Sequence, residues 1–503
     1  MISVRIPPEA AGCKLIKYLS KQGYSIAADC GGKGTCGKCR VKVLSGSFYK
    51  DSELSCPLEP DSDNYVKSCR AWCSEQGAEI LIPEASSSAC EALSPGDLSE
   101  YSSADESSKS VRYGIALDIG TTTLAMASIA IKEDTYEILQ TISRLNPQRS
   151  FGADVMSRIT AASDGQLLAM QDVLLREIRS MLSNLNIKAD RMTVVANPTM
   201  LHIFCGVSPE RMGTYPFTPE FTDMKILTGS SLGLPVESIV VLPSASAFIG
   251  ADVIAGCLSV NITANTKPVV LIDIGTNGEM MLCTGTEYGS KLYAASSAAG
   301  PAFEGAGIST GVGGVKGAVC AVERIDDAII SHTIGKEEAV GICGSGLIDL
   351  IAVLLAGGDI DETGYLEESP VIYARAADGK PLTIDEQDVR AFQLAKSAIR
   401  AGLEALIHEA GLTVNDISKV YIAGGLGFYM NIDSSVQVGL IPSILKDKVV
   451  VVGNSALSGA MLYMLRDTVM IREAEKIAAE CSTVELNSSE FFTNAFIEYM
   501  MFE

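Results

Sequence analysis

The first residues able to do chemistry are thiols, spaced Cys30-x5-Cys36-x2-Cys39 with Cys69 after 29 intervening residues. Three thiolates on one tight loop and a fourth from a distant point suit two irons sharing four sulfurs. Between them stand Gly31, Gly32, Lys33, Gly34, Thr35, Gly37 and Lys38. Glycines let the backbone wrap a cluster closely and leave N–H groups free to bond its sulfurs, which helps set its potential. Zinc and unligated thiols are the competing readings, because a Cys-x2-Cys pair also suits zinc. Cys73 rivals Cys69 as the fourth ligand, with Cys56 behind it. The other cysteines are scattered through helix, linker and apolar stretches and read as buried thiols.

A second set of residues is built for phosphate. Asp118-Ile119-Gly120-Thr121-Thr122-Thr123 and Asp273-Ile274-Gly275-Thr276-Asn277-Gly278 each join two apolar strands. In each turn the glycine permits close backbone approach, the Thr hydroxyls and N–H groups can hold phosphate oxygens, and the Asp can orient a magnesium ion or its water. A third turn, through Gly424 and Gly425, follows a strand over 419–422. Gly344-Ser345-Gly346 precedes a helix over 347–355, and either offers an anion that helix's N-terminus or simply packs. Glu304, in AGPAFEGAG, either polarises an attacking water or closes a loop. His202, His332 and His408 have no metal-like spacing. No Walker A pattern occurs, and the GxGxxG string at Gly32-Lys33-Gly34-Thr35-Cys36-Gly37 belongs to the Cys loop, so it is no dinucleotide fingerprint.

These groups need elements to position them. Residues 1–83 read as a strand over 2–6, a helix carrying Leu15, Ile16 and Leu19, the Cys loop, and strands over 40–44 and 79–82. That order suits a β-grasp ferredoxin, although the first gap of five residues resembles the adrenodoxin-like spacing and not the four of plant-type ferredoxins. Residues 84–111 are rich in Ser, Glu, Asp and Ala and read as a flexible tether. Beyond them apolar strands alternate with Gly-rich turns and long helices, an α/β texture. The repeated Asp-Gly-Thr hairpins divide it into a first lobe or middle domain over 112–265 and a second lobe over 266–503, facing one cleft.

Whole-chain properties narrow the function. At 503 residues the chain exceeds one hydrophobic core. A net charge of −22 disfavours nucleic acid and anionic membrane surfaces, which require a basic field. No stretch reads as a signal peptide or membrane span, so a cytoplasmic protein is expected. Seven of the fourteen cysteines cluster within residues 30 to 90, which in a reducing compartment points to metal.

The two hairpins followed by the Gly-rich turn resemble the acetate and sugar kinase, Hsc70 and actin (ASKHA) superfamily. That resemblance implies a two-lobed, ribonuclease H-like ATPase region in which the hairpins hold the phosphates and the later turn accommodates adenosine. With the ferredoxin-like unit, the segments CGGKGTCGKCRVKV, NPQRSFGADVMSRI, FIGADVIAGC, LIDIGTNGEM, AGPAFEGAGI and GICGSGLIDLI resemble reductive activators of corrinoid proteins along nearly the whole chain. The family resemblance implies ATP-dependent delivery of one electron from a [2Fe-2S] cluster to Co(II) in a partner corrinoid protein, with Mg2+, an upstream low-potential donor and a homodimer. The alternatives are an ATP-driven donor to a radical dehydratase or aryl-CoA reductase, whose activators lack a fused ferredoxin, and a nucleotide-binding redox sensor without turnover.

Overall fold

Glycines decide how far the N-terminal strands run. The elements are β1 (Ile2–Ile6), α1 (Leu15–Lys21), β2 (Arg40–Tyr49), β3 (Pro57–Leu58), β4 (Tyr65–Lys67) and β5 (Trp72–Ile82). They form a sheet in the order β1-β5-β2-β3, with β4 also on β2. Strands β2 and β5 extend well beyond the segments expected from sequence, because the pairing shifts register at Gly46 and continues. A side chain at Gly46, whose φ is +89°, would come within 2.4 Å of the Gly77 carbonyl, so the bulge requires glycine. Helix α1 buries Leu15, Ile16 and Leu19 against Val41, Phe48 and Ile80.

The computed structural model of the chain describes residues 2–22, 39–82, 111–132, 135–185, 187–325, 328–426, 429–465 and 467–502. Cys30, Cys36, the glycines between them and the tether as far as residue 110 lie outside the described residues.

The next sheet is built from β6 (Arg112–Ile119), β7 (Thr123–Lys132), β8 (Thr135–Leu145), β9 (Arg191–Ala196), β10 (Lys225–Thr228) and β11 (Ser238–Val241). Its helices are α2 (Val155–Ala161), α3 (Leu167–Asn184), α4 (Pro198–Cys205) and α5 (Ala251–Ser259). The strand order is β10-β11-β9-β6-β7-β8. Antiparallel β6, β7 and β8 form a meander, while β9 runs parallel to β6 and β11 parallel to β9. Central β6 is buried almost continuously rather than alternately, because its sheet is covered on both faces.

The second half repeats this plan with β12 (Val269–Ile274), β13 (Gly278–Cys283) and β14 (Leu292–Ser297). An insertion follows: the small sheet β15 (Ala318–Ile325), β16 (Ala328–Thr333) and β17 (Gly341–Ile342), helix α6 (Gly344–Gly357), and the pair β18 (Val371–Tyr373) and β19 (Leu382–Thr383). Then come α7 (Glu386–Glu409), β20 (Lys419–Ala423), α8 (Ile432–Gln437), β21 (Val449–Gly453), α9 (Ser455–Leu465), α10 (Asp467–Glu480), β22 (Cys481–Thr483) and α11 (Glu490–Glu498). The order β21-β20-β12-β13-β14-β22 reproduces the meander and the two parallel additions of the first sheet.

Each half lends a helix to the other. Helix α9, from the end of the chain, buries Leu457, Met461 and Tyr463 in the core of the first sheet. Helix α5, which follows the first sheet, buries Val253, Ile254 and Leu258 against Val269, Leu271 and Met281 of the second. The two helices cross closely: a Cβ on Gly459 would sit 1.8 Å from the Ala255 carbonyl. The sequence division at 265/266 therefore falls between two sheets whose cores interlock, and both exchanged helices start beside the Asp118 and Asp273 hairpins.

Candidate functional site

In the N-terminal unit, Cys39 stands at the start of β2 and Cys69 in the short turn between β4 and β5, with the Ser68 N–H donating to the Cys39 carbonyl at 2.9 Å. Both thiols are fully buried, and the Cys39 Sγ donates to the Cys69 Sγ at 3.2 Å. The hydrogen bond with Cys69 holds the Cys39 thiol down at about 6 despite burial. Cys73 lies in the same core, but its backbone pairs with Cys13, and burial, with Cys13 nearby, pushes its thiol up to about 12. Cys56 is exposed. Thiolate character thus belongs to Cys39, and its sulfur lies beside that of Cys69, a soft donor pair that fits one iron of a cluster.

The Asp118 turn is tight: the Gly120 N–H donates to the Thr123 carbonyl at 2.9 Å, and a Cβ on Gly120 would approach that oxygen to 2.7 Å. Arg158, fully buried on α2, donates to the Thr121 carbonyl at 2.5 Å and to the Gly152 carbonyl at 3.0 Å. Burial pulls its guanidinium down to about 9, so it stays charged at neutral pH. Asn197, the N-cap of α4, donates to the Thr121 Oγ1 at 3.1 Å. Asn454 accepts from the Leu457 N–H at the start of α9 and donates to Asp118 at 2.8 Å.

The Asp273 turn is one residue shorter, with the Gly275 N–H donating to the Asn277 carbonyl at 2.9 Å. Its neighbours differ. Glu279 is the cross-strand partner of Asp273 and accepts from the Asn277 side chain at 3.1 Å. Asp252, in the first turn of α5, accepts from the Val253 N–H at 2.9 Å. Asp118 and Asp273 are each half-buried. Burial raises both to about 7, and Asp252 adds to the rise in each. Burial likewise lifts Asp252 to about 6 and Glu279 well above the usual range.

Glu304 joins the two turns. Its Oε2 accepts from the Thr122 hydroxyl at 3.1 Å and from the Thr276 hydroxyl. Burial raises its carboxyl, opposed by those hydrogen bonds and by Arg149 and Arg158. Gly424, at φ +94°, passes so close to the second turn that a Cβ would lie 2.8 Å from an Asp273 carboxylate oxygen; Gly425 beside it is exposed. At Gly344 a Cβ would meet the Phe303 carbonyl at 2.1 Å, and the Ser345 hydroxyl donates to the Cys320 carbonyl at 3.0 Å. The contacts at that turn are packing contacts. His202 is likewise spent on structure, bonded to the Pro198 carbonyl and the Glu220 N–H.

The structure therefore gathers Asp118, Gly120, Thr121, Thr122, Asp273, Gly275, Thr276, Asn277, Glu304 and Gly424 around one interface. Sequence reasoning did not single out Arg158, Asn197, Asp252, Glu279 or Asn454. An Asn just before the helical run SALSGAMLYML carries an N-cap signal, whereas its bond to Asp118 spans 336 residues and leaves no local signal. Hydroxyls, turn N–H groups and nearby arginines fit nucleotide phosphates. Among the described residues no three acidic, His or Cys side chains converge to chelate a metal. One or two carboxylates acting with phosphate oxygens and waters fit magnesium.

A ferredoxin-type unit joined to a duplicated sheet with paired Asp-Gly-Thr hairpins defines an iron-sulfur protein carrying an ASKHA region. Residues 4–74 match the 2Fe-2S iron-sulfur cluster binding domain, 113–265 the RACo middle region and 267–503 the C-terminal, ASKHA domain of RACo. The chain is 30% identical over 428 residues, 76% of each protein, to the [Co(II) methylated amine-specific corrinoid protein] reductase of Methanosarcina barkeri. It is 32% identical over 388 residues to the corrinoid activation enzyme RamQ of Eubacterium limosum, a match spanning 70% of this chain and 64% of that one. A solved structure of a reductive activator for corrinoid, iron-sulfur protein superposes with a TM-score of 0.72 at 25% identity, covering 99% of this chain and 96% of that one. The chain belongs to the family of reductive activators of corrinoid proteins. None of its described helices is long and apolar enough to cross a membrane.

Proposed function

We propose that the chain reduces Co(II) to Co(I) in a partner corrinoid protein, one electron at a time and at the expense of ATP. The observation that carries this reading is the presence in one chain of the buried Cys39–Cys69 pair and of two Asp-Gly-Thr hairpins, one from each half, whose Thr122 and Thr276 hydroxyls meet at Glu304. Cys30, Cys36, Cys39 and Cys69 would hold the [2Fe-2S] cluster, which when bound supplies a one-electron carrier. Thr122 and Thr276 would orient the nucleotide phosphates, Asp118 and Asp273 the hydrated Mg2+, and the turn at Gly424 and Gly425 the adenosine.

A plant-type cluster lies near −400 mV, and Co(I) corrinoids are very strong reductants, so the transfer is uphill. For one electron about 59 mV is a tenfold change in equilibrium constant, or roughly 1.4 kcal/mol. A few kcal/mol of nucleotide-linked closure therefore covers a gap on the order of a hundred millivolts. Closure of the two halves around ATP would change the grip on the corrinoid protein, and hydrolysis would release it. An upstream low-potential donor would recharge the chain, which would act as a homodimer in the cytoplasm.

The test mixes the reduced holoprotein with a corrinoid protein from a methylamine methyltransferase system and follows cobalt absorption. Co(I) is expected with MgATP and not without it. Absence of Co(I) with every corrinoid protein tried would overturn the reading.

A further inference from the structure

Two hydroxyls from different halves of the chain meet on a single carboxylate oxygen. Thr122 lies in the Asp118 turn and Thr276 in the Asp273 turn, and both donate to the Oε2 of Glu304. Under the nucleotide reading, these are the hydroxyls a phosphate would take. The positive charges that act on Glu304 are Arg149 and Arg158, and Arg158 is anchored directly behind Thr121. Two hydroxyls and two guanidinium charges that would suit a phosphate thus act on an anion the chain already supplies.

The loop that presents this anion is braced. Phe303, next to Glu304, is buried edge-on against Phe392 of α7, with ring centroids 5.6 Å apart. Gly305 adopts φ +77° at a place where a Cβ would come within 2.2 Å of the Val312 carbonyl. Farther along, the Ser309 N–H and hydroxyl donate to Asp388 at 2.7 and 2.5 Å, and Asp388 belongs to the capping box of α7. The carboxylate is thus held near its place by the fold.

We propose that Glu304 is an internal anion that fills the phosphate subsite between Thr122 and Thr276 while no nucleotide is bound, tying the two halves until phosphate displaces it. This rests on the reading of the hairpins as an ATP site. A tethered carboxylate competes at a high effective concentration for the same donors. Carboxylate and phosphate cannot share them, because two anions so close repel strongly. The displaced Glu304 releases Thr122 from the second half, so phosphate binding and rearrangement of the halves become one event. Adenosine, which brings no phosphate, escapes this competition.

The test measures binding of adenosine and of the non-hydrolysable analogue AMP-PNP with Mg2+ to the full chain by calorimetry, comparing the unaltered protein with Glu304→Ala and Glu304→Gln. Removing the competitor should tighten AMP-PNP binding about tenfold in Glu304→Ala, tighten it in Glu304→Gln, and leave adenosine unchanged. Unaltered or weaker AMP-PNP binding in folded variants overturns the proposal while leaving the ATP site standing. Equal tightening of adenosine also overturns it, since the effect would not then be competition with phosphate. If no variant and not the parent binds AMP-PNP, the nucleotide reading itself fails and takes the proposal with it. Melting curves identify a variant that fails to fold, and the isosteric Glu304→Gln then carries the comparison.

Discussion

The same Asp-Ile-Gly-Thr sequence is given different hydrogen-bond partners in the two halves, although Asp252 raises the aspartate of each turn. Around Asp118 the protein places donors: Arg158 and Asn197 on Thr121, and Asn454 on the carboxylate itself. Around Asp273 it places further carboxylates, with Glu279 across the strand pair and Asp252 and Glu304 acting on it. The helices that start at the site differ in the same sense, since α9 begins behind Asn454 and α5 carries Asp252 in its first turn. Under the proposed reading, the first turn would hold an anion and the second would supply oxygen ligands, the division of labour that a nucleotide with its magnesium requires.

Removing Arg158 attacks the donor-rich side most directly. Arg158→Ala strands the Thr121 and Gly152 carbonyls and leaves a cavity in the first half, and should cost roughly 3–5 kcal/mol. The single tryptophan of the chain, Trp72, sits in the N-terminal unit, so its fluorescence reports that unit alone. The unfolding transition seen by far-ultraviolet circular dichroism should drop while that of Trp72 stays. A variant with unchanged dichroism would show that the first turn does not depend on its buried cation.

Titration probes both sides at once. Folded Asp118 and Asp273 hold a proton up to about pH 7, whereas the unfolded chain releases it near the usual carboxylate value of about 4. Between those values the native state binds the extra protons, so stability falls as pH rises and the benefit is gone above the folded value. Moving the nucleotide-free protein from pH 6 to pH 8 should cost about 1.4 kcal/mol for each carboxyl, read from urea midpoints. A flat profile would mean that both aspartates are already ionised at pH 6.

Much of this was written locally. The hairpins at Asp118 and Asp273, the strand ahead of Gly424 and the helix carrying Leu15, Ile16 and Leu19 follow from periodicity and turn residues within windows of about ten residues. The family resemblance supplied the two-lobed plan that the sheets display. What sequence did not carry was the exchange of α5 and α9, because an apolar helix does not specify which sheet covers it. The partners that distinguish the two turns were hidden for the same reason: Asn454 and Arg158 reach their targets from helices far along the chain. Glu304 was visible as a polar residue in a Gly-rich loop, but its two threonine partners lie 182 and 28 residues away. The turn at Gly344 and Ser345 looked like an anion site because small residues that permit phosphate approach also permit tight packing.

The difference between the halves can be reduced by one substitution. Asp252→Asn would give α5 an amide in its first turn, as Asn454 provides at the head of α9, and would remove a like charge facing both Asp118 and Asp273. Folded Asp252 ionises near pH 6 and its unfolded counterpart near about 4. The carboxylate therefore destabilises the native state increasingly between those values and by a constant amount above them. The nucleotide-free variant should be more stable by up to about 2.7 kcal/mol at pH 8, nearly unchanged at pH 4, and should show Asp273 ionising at lower pH. Magnesium would act the other way: a cation held on the acidic side would offset the repulsion and draw on Asp252 for its charge, so the advantage of Asp252→Asn should shrink when MgATP is present. An advantage that persists undiminished with MgATP would mean that the carboxylates around Asp273 are not gathered to face a cation, and the division of labour between the two turns would fail.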